Sequence, residues 1–252
     1  MKFLNTIPVI SLRKEPSEKS ELVSQLLFGE EYVVLDRHSD WLLVQCEHDN
    51  YEGWLSKSQH ACATKNESNP LDEWLVSKPF FEINQGSAAL LLPLGSSLGG
   101  LSDDISAETL EKWQESGSIG RSVGRSTDQL MKYAMMLLGS PYLWGGRNPF
   151  GYDCSGFVQV VYKMAGLALP RDASQQATVG QMIDFVDYAS AADLAFFENE
   201  AGQIVHVGII DGKGGIIHCS GFVRNDSIDA HGIFNRQWRH HTHKLRFIRR
   251  VI

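Results

Sequence analysis

Through residues 1–60, short apolar runs alternate with polar turns. Val9-Ile10-Ser11-Leu12-Arg13 precedes the polar stretch Lys14 to Ser20, and Glu31-Tyr32-Val33-Val34-Leu35 is separated from Trp41-Leu42-Leu43-Val44-Gln45-Cys46 by a polar turn. Asp49-Asn50 then leads into Tyr51-Glu52-Gly53-Trp54-Leu55. Runs about 8–12 residues apart with turn signals between them predict a small β-barrel over residues 1–63. Residues 64–70 are polar, end at Pro70 and read as a linker. Residues 71–125 carry the apolar runs Phe80-Phe81-Glu82-Ile83 and Ala88-Ala89-Leu90-Leu91-Leu92, then a short helix capped by Ser106. A second, degenerate barrel is the expectation for 64–125.

From Ser126 the period changes. Ser126-Thr127-Asp128-Gln129 is a capping box, and Leu130, Tyr133, Ala134, Leu137 and Leu138 recur at helical spacing until Gly139 and Pro141. A second helix is predicted from Cys154, with Phe157, Val158, Val161, Tyr162 and Ala165 on one face and Gly166 at its end. Leu194–Phe197, Ile204–Asp211 and Gly215–Ser220 are strand-like. Helices followed by a run of strands predict an α+β domain with an antiparallel sheet over 126–252.

Composition narrows the function. The net charge of the 252-residue chain is -7. An acidic protein gains nothing from phosphate counterion release, which argues against nucleic acid, and the same sign disfavours anionic membranes and wall polymers. No run approaches the ~20 apolar residues of a membrane span. The N-terminal stretch Met1–Pro8 lacks a long apolar core and a small-residue cleavage site, so a cytoplasmic protein is expected, or a periplasmic or secreted one if a leader has been removed. Cys46, Cys62, Cys154 and Cys219 form no Cys-x-x-Cys pair, which disfavours a zinc site and a disulfide framework.

The chemistry gathers at Gly151-Tyr152-Asp153-Cys154-Ser155-Gly156. A cysteine opening a helix faces unpaired N–H groups and the positive end of the helix dipole, which favour the thiolate. Small Ser155 and Gly156 let a substrate carbonyl approach, and the Cys154 N–H is a candidate oxyanion donor. His206 and His218 follow on two strands joined by Asp211-Gly212-Lys213-Gly214, and the midpoint of 206 and 218 falls at 212. A symmetrical hairpin sets the two rings directly opposite, about 5 Å apart at Cβ. One imidazole can then serve the thiol while the other orients it. Cys154, His206 and His218 could also supply three zinc ligands, but no carboxylate partner is evident, and neither metal nor cofactor is expected. His240-His241-Thr242-His243 reads as a terminal strand with exposed histidines.

Tyr142-Leu143-Trp144-Gly145-Gly146, Asp153-Cys154-Ser155-Gly156-Phe157-Val158, Leu169-Pro170-Arg171-Asp172-Ala173-Ser174-Gln175-Gln176, Asp193–Phe197, His206-Val207-Gly208-Ile209 and Ile217-His218 occur in that order. Together they resemble the NlpC-type bacterial cysteine peptidases over 126–252. Residues 1–63 resemble bacterial SH3-like domains, with the polar loop after the first strand, the Trp-led central strand and the closing Gly-Trp-Leu.

The resemblance implies a papain-like fold preceded by one or two SH3-like barrels. It implies Cys154 as nucleophile, His206 as base and then acid, His218 as orienting residue and Tyr142 as oxyanion partner. Asp153 and Ser155 would shape the substrate groove. The implied reaction is hydrolysis of the γ-D-glutamyl–L-diamino acid bond in murein stem peptides. In the subgroup with SH3-like domains an acid at Asp172 would bind a free L-Ala amine, with Tyr51 and Glu52 as candidates to close that end of the groove. Ala173 stands where Ser or Thr is common, and Ala192 replaces the usual Gly before Asp193. A monomer is favoured. The alternatives are an exported endopeptidase acting on intact wall, a non-catalytic wall-peptide-binding module, and an acyltransferase of related fold.

Overall fold

A computed structural model describes residues 1–60, 62–64, 69–85, 88–101, 105–122, 124 and 126–252. Most of the sequence-predicted linker, 65–68, lies outside the described residues. Contacts divide the chain into two units, Met1–Val123 with Trp144–Pro149, and Gly124–Leu143 with Phe150–Ile252.

The first unit begins with β1 (Lys2–Asn5), β2 (Val9–Arg13), β3 (Leu22–Leu27), β4 (Glu31–His38), β5 (Trp41–Cys46), β6 (Glu52–Ser56) and β7 (Cys62–Thr64). These form one sheet in the order β3-β2-β6-β5-β4-β1-β7. Its alternate residues Ile10, Leu12, Leu42, Val44 and Leu55 are buried with Tyr32 and Leu26, as a half-buried strand pattern requires. β8 (Trp74–Val76), β9 (Phe80–Gln85), β10 (Ala88–Pro93), α1 (Ala107–Glu115) and β11 (Ile119–Arg121) follow, with β10 paired to β9 and β11 to β8. Ser106 caps α1 by accepting from the Thr109 N–H.

The short segment 144–149, which includes β12 (Arg147–Asn148), packs within this unit. The Arg147 guanidinium donates to both Glu30 carboxylate oxygens at 2.8 and 3.0 Å, and Gln25 Oε1 accepts from the Arg147 N–H and from Asn148. Arg147 is fully buried, and its planar fork matches the carboxylate as a lysine could not.

The second unit contains α2 (Thr127–Met136), β13 (Gly151–Tyr152), α3 (Cys154–Met164), α4 (Ala173–Gln176) and β14 (Gln181–Ile183). Then come β15 (Leu194–Glu198), β16 (Ile204–Ile210), β17 (Gly215–Ser220), β18 (Phe222–Asp229), β19 (Gly232–Asn235) and β20 (His240–Arg250). The sheet runs β14-β20-β15-β16-β17-β18-β19, and β20 also pairs with β19. That extra pairing closes β15–β20 into a barrel, and the unit is α+β with antiparallel strands.

Ser126 caps α2, and Asp153 caps α3, accepting from the Gly156 N–H at 2.6 Å. α3 packs against β16 and β17, with Phe157, Val158, Val160, Val161, Tyr162 and Met164 fully buried. Each such side chain contributes about 1.5–3 kcal/mol of transfer free energy, so the helix start is held by a rigid body. On one face of the barrel strands, Ala195, Phe197, Ile210, Ile216, Ile228 and Ile233 form an apolar core. His206 and His218 stand on that same face, His206 four residues before Ile210 and His218 two residues after Ile216 in the alternation.

Candidate active site

Cys154 is the first residue of α3 and is 7% exposed. The backbone N–H groups of Val207, next to His206 on β16, and of Ser155 act on its sulfur in favour of the thiolate. The helix-start argument favours a thiolate, yet burial outweighs it and, with the neighbouring Asp153 charge, pushes the thiol up to about 12. The two backbone donors and the Arg171 charge pull the other way and do not overcome it. The resting sulfur therefore carries its proton at neutral pH. Among the described contacts no hydrogen bond joins Cys154 Sγ to His206.

The histidine hairpin differs from the sequence expectation by one step. His218 lies opposite Gly208, not His206. The Asp211 carboxylate accepts from the Lys213 and Gly215 N–H groups, and Asp211 pairs with Gly215 across the turn. That local hydrogen bonding shifts the hairpin centre. The rings are diagonal neighbours on one face, still in reach of each other. His206 Nε2 and His218 Nδ1 are 2.9 Å apart, with the ring planes at 90°. Gly208 makes room for this, because a Cβ there would stand 2.8 Å from the His218 Cβ.

The network continues on β18. His218 Nε2 is 3.2 Å from Asp226 Oδ2, and Asp226 is held by Arg224, Nε at 2.6 Å and Nη2 at 3.0 Å. An ionised carboxylate only accepts, so His218 Nε2 bears a proton and its Nδ1 is an acceptor. His206 Nε2–H then donates to that acceptor, which leaves His206 Nδ1 unprotonated. One carboxylate thus sets both tautomers and turns the basic nitrogen of His206 away from His218.

Behind the pair, His243 stacks on His206 with centroids 4.2 Å apart and planes 27° apart. Sequence reading placed all histidines of β20 at the surface. Pairing of β20 with both β15 and β19 instead buries much of His243, while His240 and His241 remain exposed. A pocket of about 610 Å³ opens beside His218, bounded by Phe222, Arg224, Asp226, Trp238 and His243.

Burial holds His206 well below the usual imidazole range, with the charges of His243 and His218 adding to it. Burial also lowers His218, against the pull of Asp226, and lowers His243 to about 4. In the unfolded chain each ring takes up a proton near 6.5, so below that pH the unfolded state binds more protons than the fold. Stability is complete above pH 6.5 and declines as pH falls through the window to about 4. At pH 5 one such ring costs about 2 kcal/mol taken alone. The melting temperature of this protein is expected to fall between pH 7.5 and pH 5, and a flat or rising thermal midpoint in that range would contradict the buried neutral rings.

Asp153 serves the nucleophile's helix. Its carboxylate accepts from the Gly156 N–H, the Ser155 hydroxyl at 3.2 Å and the Arg171 guanidinium at 2.5 and 3.0 Å. Ser155 also accepts from Arg171. Gln176 donates to the Ser155 and Pro170 carbonyls, so the segment Leu169–Gln176 is tied to the start of α3. Asp172 is half-buried at the N-cap of α4, where its N–H donates to Gln175 Oε1. Tyr142 is 37% exposed, and its N–H donates to the Gly221 carbonyl. Burial, then the proximity of Cys154 and Asp153, raises its phenol, which stays protonated. Tyr51 and Glu52 belong to the first unit. The Tyr51 N–H donates to Asp49, and exposed Glu52 accepts from Gln45.

Cys154, His206 and His218 do not form a metal-sized cluster among the described residues. Cys46, His48 and Asp49 do, with ligand atoms within 4.8 Å of one another. There His48 already faces Asp49 at 3.2 Å, and the buried Arg147 charge lies close to both Asp49 and Cys46.

Sequence reasoning missed Asp226, Arg224, Arg171 and His243. Arg171 stood inside a motif already singled out. The acidic Asp226, eight residues beyond His218, becomes visible only once β17 is paired with β18.

Residues 139–247 match the NlpC/P60 family, and residues 12–59 match the bacterial dipeptidyl-peptidase SH3 domain. The chain is 30% identical over 217 residues to a gamma-D-glutamyl-L-lysine dipeptidyl-peptidase of Bacillus subtilis, covering 77% of this chain and 71% of that protein. It is 29% identical over 225 residues to the protein of the same name from Bacillus cereus, covering 79% and 67%. The crystal structure of an NlpC/P60 family protein from Bacillus cereus superposes with a TM-score of 0.79 at 22% identity, covering 100% of this chain and 99% of that one.

Proposed function

Since the chain belongs to the NlpC/P60 family of cysteine peptidases, we propose that it cleaves the γ-D-glutamyl–L-diamino acid bond of murein stem peptides that begin with a free L-Ala amine. The observation that carries this reading is the hydrogen-bonded pair His206–His218 on neighbouring strands, with Val207, next to His206, presenting its N–H towards the Cys154 sulfur. The two Bacillus dipeptidyl-peptidases, related over most of their length, support the choice of bond.

Hydrolysis then follows in two halves. His206 Nδ1 takes the Cys154 proton as the sulfur attacks the γ-carbonyl carbon of D-Glu. The carbonyl oxygen becomes an oxyanion, met by the Cys154 N–H and the protonated Tyr142 phenol. His206 returns the proton to the departing diamino acid amine, which leaves a γ-glutamyl thioester on Cys154. Water, deprotonated by His206, attacks that thioester and frees the L-Ala-γ-D-Glu dipeptide and the thiol. Because the resting sulfur is a thiol, the base acts during attack rather than beforehand.

Asp172 supplies the contact for the L-Ala ammonium, a charge-assisted pair that a sugar-linked stem cannot make. Asp153 and Ser155 position α3 under the substrate. The protein acts in the cytoplasm on free peptides. Its net charge of -7 disfavours anionic wall polymer and supports this placement.

Mass spectrometry of products from L-Ala-γ-D-Glu-L-Lys and its diaminopimelate analogue tests the reading. Release of the L-Ala-γ-D-Glu dipeptide is expected from both. The N-acetyl-L-Ala twin of either peptide is expected to be cleaved at least about 10-fold more slowly, the loss of one charge-assisted contact. Equal rates on free and acetylated peptides would remove Asp172 from the proposal.

A further inference from the structure

We infer that Asp226, held by Arg224, is a positioning residue that fixes which nitrogen of His206 is basic. The inference rests on the reading of His206 as the base for Cys154.

Two diagonal steps across the barrel carry it. β16 and β17 are registered with Gly208 opposite His218, so His206 reaches His218 diagonally. β17 and β18 are registered with His218 opposite Arg224, so His218 reaches Asp226 diagonally in the same sense. The twist of the sheet thus turns three separate strands into one line of hydrogen bonds. A line of this kind has two proton arrangements when its end is neutral. With a carboxylate at the end it has one, because the carboxylate cannot donate.

Arg224 keeps that end ionised. Its Nη2 donates to Asp226 Oδ1 at 3.0 Å and its Nε lies 2.6 Å from Oδ2 as an ion-pair contact, and the guanidinium carbon stands 5.1 Å from the centre of the Phe222 ring. Paired with Arg224, Asp226 holds the His218 proton without taking it. The groups facing His218 are His206 from β16, Asp226 and Arg224 from β18, and His243 from β20. The Arg224 charge partly offsets that of Asp226. With its Nε2–H committed to His218, His206 offers Nδ1 as the atom that takes the Cys154 proton and returns it to the leaving amine.

Two measurements test this. In the native protein labelled with 15N-histidine, NMR is expected to report His206 and His218 both protonated at Nε2 and unprotonated at Nδ1. A His218 protonated at Nδ1 overturns the inference whatever any variant does. In Asp226→Asn, whose amide can donate as well as accept, the same spectrum is expected to show mixed tautomers. Its kcat is expected to fall about 10–100-fold with KM within about twofold, the size of effect seen when a carboxylate that orients a metal-bound imidazole is removed. Asp226→Glu, which keeps a carboxylate, is expected to be the more active of the two. A folded Asp226→Asn with native kcat, native pH profile and native tautomers removes the role. Loss of the wider reading would show differently, as hydrolysis that persists without the Cys154 thiol, and would leave the tautomer result unchanged.

Discussion

Cys154→Ala is expected to lower hydrolysis of L-Ala-γ-D-Glu-L-Lys by at least about 10⁴-fold while the protein stays folded, since removing the nucleophile of such a pair leaves only binding and oxyanion contacts to act. The effect on stability is expected to be small. The residue is buried and its sulfur is uncharged at rest, so alanine removes one atom and its weak interaction with the nearby Val207 and Ser155 N–H groups. That loss is worth about 1 kcal/mol. The variant should therefore keep the native melting temperature within a few degrees, still bind the peptide, and release no dipeptide by mass spectrometry. Undiminished turnover would leave the site without a nucleophile. Peptide binding by the native protein with no turnover would favour the non-catalytic wall-binding alternative.

The parts of this site that could be read from the chain are those set by neighbours in sequence. Asp153 capping α3 and Ser126 capping α2 are local events, fixed by one side chain reaching an N–H three residues on. Alternation placed His206 and His218 on one face of a hairpin for the same reason. What failed was the register, because Asp211 holds its own turn and moves the pairing from His206–His218 to Gly208–His218. Asp226 lies in a stretch, Arg224-Asn225-Asp226-Ser227, that looks like any polar strand edge. Only the β17–β18 pairing brings it to an imidazole. His243 was hidden among three histidines of one run, and closure of the barrel buries one of them. The substitution at Ala192 has a backbone consequence that sequence alone did not give: the residue adopts a φ of 71°, where glycine is unstrained. Its backbone is held there, the N–H by the Ile210 carbonyl and the carbonyl by the Tyr162 hydroxyl.

Arg171→Met is expected to cost about 3–5 kcal/mol of stability, because it leaves the Asp153 carboxylate buried without its counter-charge. Asp153 and Arg171 are 5% and 1% exposed, and the guanidinium meets both carboxylate oxygens and the Ser155 hydroxyl. Methionine fills similar volume but supplies none of these donors. For a protein of this size the melting temperature should drop by roughly 10 °C. Hydrolysis should fall with it even at temperatures where the variant is folded, since Asp153 and Ser155 bracket Cys154 at the start of α3. The double variant Asp153→Asn with Arg171→Met separates charge from packing. Without a stranded carboxylate it should be more stable than Arg171→Met alone, a coupling that two independent sites would not produce. Urea unfolding of the two single variants and the double variant measures that coupling. If Arg171→Met melts within two or three degrees of the native protein, the buried pair does not hold the helix start, and the nucleophile must owe its position to the apolar packing of α3 on β16 and β17 alone.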